Sequence, residues 1–336
     1  MTGTNKYRTI YASYLIIFMV FTILISSCTK DITVDIPSAE EMIVVEGNIE
    51  IGQPPLITLT RNSPFYDTLD LNDFNNLYVH SSDVDVKIVR NGTDTFAMQE
   101  LCLADLGLTP EQQALAAAQL GFNFGDSITQ LPDICIYTIP DIINWFLGSP
   151  ASLLGEAQNN YQLIIHDLVK GNTITSNAPI VKVIPLQYLS WAPHPNPDND
   201  SMVTVNATFA VPDTFGNYIK YWTKRNSESF KLPRSQSVWS DKLFVGQTVT
   251  LPMERGMDNN EEFNTDTYSY FWKGDTVTIK WANITKQTFD FYSSLQNNSS
   301  SDSPFSSPSE VSSNIKGGLG IWAGYATAYY SIVVPR

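Results

Sequence analysis

The chain has 336 residues and a formal net charge of −14, and 43% of its residues are apolar and 12% aromatic. This length is enough for two domains of ordinary size with real hydrophobic cores. Only 16% of the residues are charged, which favours β structure over helical bundles, and the acidic balance argues against nucleic-acid binding because it repels phosphate groups.

The first 27 residues have the three-part pattern of an export signal. Lys6 and Arg8 precede an uncharged apolar segment, residues 10–25, and two serines then lead to Cys28. The apolar segment is shorter than the roughly 20 residues that a membrane-spanning helix needs. Ile25-Ser26-Ser27-Cys28 resembles the lipoprotein box of bacteria, which implies cleavage before Cys28 and attachment of lipid to its sulfur. The alternative is a plain N-terminal anchor helix with an incidental cysteine.

Residues 28–41 are polar and acidic, and we expect them to form a tether between the lipid and the first strand. Lys30 and Asp31, shortly after Cys28, resemble a signal for transfer to the outer face of the outer membrane in Bacteroidota. The predicted location is therefore the outer membrane, with the protein facing the cell surface.

Residues 42–190 contain short runs in which apolar and polar side chains alternate, a pattern typical of strands in a β-sandwich. A three-residue hairpin loop, Asn91-Gly92-Thr93, would place Phe96 opposite Ile88. The strands predicted here are residues 42–49, 56–61, 84–88, 161–169 and 180–189.

An insertion at residues 102–135 interrupts this pattern. Thr109-Pro110 has the character of a helix start, and Gly121 that of a helix stop, so a short helix is predicted between them. Cys102 and Cys135 can form a disulfide in an exported protein, worth about 3–4 kcal/mol through loop closure, and two buried free thiols are the alternative.

Three prolines mark residues 191–200 as a linker, and residues 201–336 are again predicted to be a β-sandwich. A helix is predicted at residues 285–296, with Phe289, Tyr292 and Leu295 on one face. The strands predicted in this half are residues 203–209, 218–223, 242–245, 248–251, 268–272, 276–281 and 318–334.

Motifs that would carry catalysis or bind a metal are not recognised. The three histidines are far apart in sequence, and Asp198-Asn199-Asp200 lacks the remaining ligands of a calcium loop. Gly317-Gly318-Leu319-Gly320 precedes strand residues, so it is interpreted as a place where backbones approach closely, in preference to a phosphate cradle. The sequence therefore predicts a protein that is not an enzyme, without metal or cofactor.

Aromatic residues are frequent in the second half. Alternation with Thr and Lys places most of them in a core, but a few at loop tips could form a contact patch. Trp239, Trp272 and Trp322 are the candidates for contact with a partner or ligand.

The C-terminal segment, residues 311–322, has the sequence Val-Ser-Ser-Asn-Ile-Lys-Gly-Gly-Leu-Gly-Ile-Trp. It resembles the signature end of a Bacteroidota lipoprotein family catalogued as a domain of unknown function, number four thousand two hundred and forty-nine. Val44-Val45-Glu46-Gly47, Tyr161-Gln162-Leu163 and Phe289-Asp290-Phe291-Tyr292 match the same family.

This resemblance implies an immunoglobulin-like N-terminal domain followed by a second β domain, and it supplies no catalytic residues. It also implies an outer-membrane lipoprotein that is often encoded beside a TonB-dependent transporter. The expected function is an accessory subunit that docks on such a transporter or on another outer-membrane β-barrel complex. The alternative is a surface lipoprotein that binds glycans or peptides by itself.

Overall fold

The computed structural model describes residues 40–62, 77–119, 134–258, 261, 264–299 and 310–336. The predicted export signal, Cys28 and nearly all of the predicted tether lie outside the described residues. By its contacts, the chain from residue 41 onward forms one compact unit. Where the structure is described, the chain is mainly β and sandwich-like, and no helix is long and apolar enough to span a membrane.

In the described residues this unit consists of sixteen strands, with three short α-helices between them. The strands are β1 (Ile43–Glu50), β2 (Leu56–Arg61), β3 (Val84–Arg90), β4 (Asp94–Ala97), β5 (Gln99–Cys102), β6 (Cys135–Thr138), β7 (Asn160–Asp167), β8 (Thr173–Pro179), β9 (Leu186–Pro193), β10 (Met202–Ala210), β11 (Tyr218–Arg225), β12 (Val238–Ser240), β13 (Thr248–Met253), β14 (Phe271–Trp272), β15 (Thr276–Ile284) and β16 (Leu319–Val333). The helices are α1 (Pro110–Gln119), α2 (Ile142–Phe146) and α3 (Lys286–Ser299).

One large sheet connects the two halves of the sequence. It has eight strands in the order β12-β11-β15-β16-β1-β2-β6-β5. Strand β16 is long enough to have two partners in succession: Leu319 to Tyr325 pair in parallel with β1, and Ala326 to Val333 pair antiparallel with β15. The last strand of the chain therefore lies beside the first.

Two smaller sheets cover different parts of the large one. The sheet β4-β3-β7-β8 and strands β1 and β2 enclose one core, and the sheet formed by β9, β10, β13 and β14 encloses a second core with β11 and β15. A third apolar cluster lies under helix α3. Central residues of the first two cores are Val45, Ile88, Leu163, Val205, Phe209 and Trp281.

The predicted linker at residues 191–200 differs from the structure. Trp191, Ala192 and Pro193 belong to β9 and pair with β10, so the chain is already in a sheet where the prolines suggested a boundary. Proline is tolerated there because Pro193 is the last residue of its strand. The predicted strand at residues 180–189 is replaced by β8 and β9 on either side of residues 180–185.

The hairpin and helix predictions in the first half are confirmed. Ile88 pairs with Phe96 and Arg90 with Asp94, which leaves the predicted three-residue loop between β3 and β4. Helix α1 lies in the insertion and begins with a capping box, in which the backbone N–H of Thr109 donates to Oε1 of Gln112 at 2.9 Å.

Two predictions in the second half are wrong. Residues 242–245 do not form a strand, since Asp241–Leu243 is a 3₁₀ turn and the strand lies just before it, at β12. Helix α3 packs Phe289, Phe291 and Tyr292 against the sheet, whereas Leu295 is exposed. The helix is rotated from the predicted face because two neighbouring aromatics, Phe291 and Tyr292, both gain apolar contacts.

Candidate functional site

Trp322 is a core residue and is not available to a partner. Its side chain is 0% exposed, its indole N–H donates to the carbonyl of Tyr161 at 2.8 Å, and its backbone is held by the side-chain amide of Asn314. The prediction that Trp322 contacts a partner or ligand is therefore wrong. It pairs with Gly47 across strands, and its ring packs directly against that glycine.

Trp272 is half-buried and already has cationic partners. The guanidinium groups of Arg225 and Arg255 lie 4.8 Å and 5.5 Å from the centroid of its ring. These are distances at which a cation is attracted to an aromatic ring. The arrangement fixes the ring within the protein and leaves less of it for stacking on a sugar.

Trp239 lines a small apolar pocket at one end of the second core. Phe209, Ile219 and Leu251 form part of its wall, and its volume of about 20 Å³ holds roughly one water molecule. The indole N–H of Trp239 is buried and has no hydrogen-bond partner among the described residues. Of the three predicted tryptophans, Trp239 is therefore the one whose indole N–H lacks a hydrogen-bond acceptor among the described residues.

Two exposed apolar side chains lie on loops beside this pocket. The carboxylate of Asp241, which lines the pocket, accepts hydrogen bonds from the backbone N–H groups of Gly216 and Asn217 and so joins the two loops. Phe215 and Leu243 project from these loops and are 79% and 80% exposed. We call Phe215, Trp239 and Leu243 the pocket end of the molecule.

A second apolar surface is formed by helix α2 and its last turn. Ile143, Phe146 and Leu147 are spaced three and four residues apart, which places them on one side of the helix, and Phe146 and Leu147 are 62% and 79% exposed. The two ends of the segment that contains α2 are held together by Asp141, whose carboxylate accepts hydrogen bonds from the N–H and hydroxyl groups of Ser152. We call Ile143, Phe146 and Leu147 the α2 tip.

A buried lysine lies on the face of the large sheet that α3 covers. Lys220 is 1% exposed, and its Nζ is 3.4 Å from the ring centroid of Tyr292 and 4.9 Å from that of Trp222. Ser237 Oγ is 3.5 Å from the same nitrogen and accepts a second hydrogen bond from Gln296 of α3. The lysine therefore connects the sheet to the helix through aromatic and polar contacts.

The neighbouring charges are paired across strands. Lys280 forms an ion pair with the buried carboxylate of Glu50, which also accepts a hydrogen bond from the hydroxyl of Tyr329 at 2.5 Å. The Lys280 ammonium is 4.9 Å from the ring of Trp222, the ring that also faces Lys220. One indole thus contacts both lysines.

Burial changes the pKa of several groups in this cluster. Desolvation, together with the positive charge of Lys280, lowers the pKa of Lys220 to about 7, and Glu46 opposes the shift. Desolvation raises the pKa of Tyr292 to about 12 and raises that of Tyr325 as well, and their hydroxyls are hydrogen-bonded at 2.7 Å. A lysine that is partly neutral near pH 7 can act as a nucleophile, but its burial keeps a substrate away in this conformation.

We expect replacement of Lys220 by methionine to remove a pH dependence of stability. Because the folded-state pKa lies below the unfolded value, the unfolded chain binds the extra proton between about pH 7 and pH 10.5. Lys220 therefore destabilises the native state fully below pH 7, and this destabilisation is relieved as the pH rises toward 10.5. Chemical denaturation at several pH values should show the Lys220→Met protein gaining most, relative to wild type, at pH 7 and below.

Lys224 on the same strand is the matched control. It is half-buried beside the ring of Phe230, with its Nζ 4.9 Å from that centroid. Lys224→Met should leave the pH profile of the unfolding midpoint parallel to that of wild type. If Lys220→Met also gives a parallel profile, the lysine is not the origin of the pH dependence.

Cys102 and Cys135 form a disulfide bond between β5 and β6, where they are directly opposite in the strand register. His80 and Glu100 lie beside it, and the His80 Nδ1 is 2.6 Å from Oε1 of Glu100. Donor atoms of these four side chains lie within 4.8 Å of one another. The four residues are dispersed over 56 positions of the sequence, so no local pattern groups them.

Lys220 was missed for a different reason. It alternates with apolar residues on β11, and a lysine in such a pattern is ordinarily expected to face solvent. The sequence signal for its burial was the pattern Phe-Asp-Phe-Tyr in α3, because aromatic side chains on a helix can cover the second face of a sheet.

Comparisons with known proteins agree with the sequence motifs. No protein with a curated description matches the chain. The family model described as "Domain of unknown function (DUF4249)" matches residues 29–331, which is nearly the whole chain beyond the predicted export signal. The match includes β1, the buried lysine and most of the C-terminal strand β16, and the protein belongs to the DUF4249 family.

Proposed function

We propose that the protein is a lipoprotein of the outer membrane, without enzymatic activity, that docks on a TonB-dependent transporter or another outer-membrane β-barrel complex. The observation that carries the docking role is the α2 tip, in which three neighbouring apolar side chains are presented to solvent. Exposed apolar clusters of this kind are typical of protein interaction sites, and aromatic residues such as Phe146 are common in their centres.

The proposed anchor is lipid attached to Cys28. Residues 29–40 would then connect the membrane to a rigid β body that begins at β1. Anchoring confines the protein to the membrane surface, so that even a modest apolar interface would bind a membrane partner at high effective concentration. A small contact area such as the α2 tip is compatible with this arrangement.

Replacing Phe146 and Leu147 together by serine is the test of docking. We expect the variant to lose most of the β-barrel protein that copurifies with wild type from detergent-solubilised outer membranes, because the apolar contact is removed. Both side chains are exposed, so the unfolding midpoint should remain unchanged. The measurement is quantitative mass spectrometry of the copurified proteins.

The matched control is Leu168→Ser with Val169→Ser, an exposed apolar pair at the tip of the β7–β8 hairpin. This control should retain the partner. Equal recovery from both double variants, or recovery of no barrel protein by wild type, would contradict docking through the α2 tip. The intact mass of the same preparation tests the anchor, since an unmodified thiol at Cys28 with the leader still attached would exclude it.

Binding of a glycan or peptide by the protein alone is the second candidate. The pocket end favours it, because Trp239 offers an unused indole N–H beside two exposed apolar side chains. The small volume of the pocket restricts this possibility to a ligand that contacts its opening. Glycan-array binding that is lost in Trp239→Phe would support this function over docking.

A further inference from the structure

The four side chains around the disulfide have the composition of a zinc site. They comprise two cysteine sulfurs, one imidazole and one carboxylate, and their donor atoms all lie within 4.8 Å of one another. Tetrahedral zinc takes sulfur at about 2.3 Å and nitrogen or oxygen at about 2.0–2.2 Å, which separates neighbouring ligand atoms by roughly 3.3–3.8 Å. Small side-chain movements would bring the four donors to these separations once the sulfurs are no longer bonded to each other.

The backbone keeps three of the four residues on one face. Glu100 and Cys102 are two residues apart on β5, so their side chains point the same way, and Cys135 is directly opposite Cys102 on β6. The two strands are also paired at Gln99, Glu100 and Leu101, and β6 pairs with β2 through Tyr137. Breaking the sulfur–sulfur bond would therefore leave both thiols in place.

The fourth residue is positioned by the loop that precedes β3. Oε1 of Glu100 contacts His80 Nδ1 at 2.6 Å, and Oε2 accepts the backbone N–H of Ser81 at 2.8 Å. Sγ of Cys102 is 3.7 Å from the same Oε1 atom. The imidazole is partly exposed, whereas both cysteines are buried, so an ion could enter from the side of His80.

We propose that reduction of the disulfide turns this cluster into a site for one Zn²⁺ ion, bound by His80, Glu100, Cys102 and Cys135. The disulfide and the zinc site are mutually exclusive states of the same four residues. With a phosphine reductant, the phosphine gives two electrons to the disulfide and becomes a phosphine oxide, and water supplies the oxygen atom and the two thiol protons. Zinc then displaces one proton from each thiol.

The test uses the full chain in detergent, reduced with a phosphine under anaerobic conditions, and titrated with Zn²⁺ against a chromophoric chelator. The expected result is one zinc ion per chain in the reduced protein and at least a hundredfold weaker binding in the oxidised protein. Near-ultraviolet circular dichroism checks that the reduced protein keeps its tertiary structure. Co²⁺ as a second probe should give a charge-transfer band for two thiolate ligands.

His80→Ala separates a built site from simple thiol binding. Its side chain is at the surface, so the fold should be retained while zinc affinity falls at least tenfold. His166→Ala is the matched control, because this histidine is exposed on β7 beside the hydroxyl of Thr173, away from the cluster, and zinc affinity should not change.

Three outcomes would overturn the proposal. The first is a folded, reduced protein that binds no zinc, and the second is zinc binding that His80→Ala does not weaken. The third is loss of tertiary structure on reduction, since the proposal requires β5 and β6 to stay paired. None of these results bears on docking at the α2 tip, which involves different residues.

Discussion

Replacing Trp322 by alanine is expected to lower the free energy of unfolding by about 3–5 kcal/mol, the range for removal of a large aromatic side chain from a core. The indole is completely buried, and its N–H is the hydrogen-bond donor to the carbonyl of Tyr161. The substitution would leave a cavity against Gly47 and remove this hydrogen bond. Denaturant unfolding followed by fluorescence of the remaining tryptophans measures the effect.

Val333→Ala is the control for this experiment. Val333 ends the same strand, β16, but is mostly exposed, so its truncation should change stability by no more than about 0.5 kcal/mol. A loss below about 1 kcal/mol for Trp322→Ala would show that the surrounding core collapses around the missing ring, and that Trp322 does not hold β16 in place.

Gly320→Ala is expected to be destabilising by about 3 kcal/mol or more, and to reduce the yield of folded protein. Gly320 has a φ angle of +103°, a conformation that is strained for any residue with a Cβ atom. A Cβ atom there would also lie 2.0 Å from the carbonyl oxygen of Val45, its pairing partner on β1. Relief of this overlap requires β1 and β16 to separate. Thermal unfolding and the soluble yield both report the result.

Gly92→Ala distinguishes the two causes of this effect. Gly92 also has a positive φ angle, +77°, but no atom lies within 4 Å of where its Cβ would be. Its substitution should therefore cost only about 1 kcal/mol, from the backbone conformation alone. Equal losses for Gly92→Ala and Gly320→Ala would mean that the close approach to Val45 contributes nothing.

Gly320 and Trp322 explain why the C-terminal motif is distinctive. The segment Gly317-Gly318-Leu319-Gly320 was predicted to be a place of close backbone approach. The structure confirms this at Gly318 and Gly320, where added Cβ atoms would meet backbone oxygens of β1. Trp322 follows at the next inward position and fills the space over Gly47. The motif serves to join the last strand to the first.

The sequence by itself determined the features that depend on neighbouring residues. The alternation in β1, β2 and β3, the three-residue loop that pairs Ile88 with Phe96, and helix α1 with its cap were all predicted correctly. Each depends on side chains a few positions apart, so the local pattern carries the necessary information.

Only the tertiary structure decided which faces are buried and which distant segments meet. The parallel pairing of β1 with β16 joins residues some 275 positions apart, so a boundary at residues 191–200 does not separate two independent sheets. Lys220 is buried because α3 covers one face of the large sheet. Trp322 is buried because it faces the first core, on the other side of the same sheet. Alternation shows that a strand has two faces, but what packs on each face depends on contacts between segments far apart in sequence.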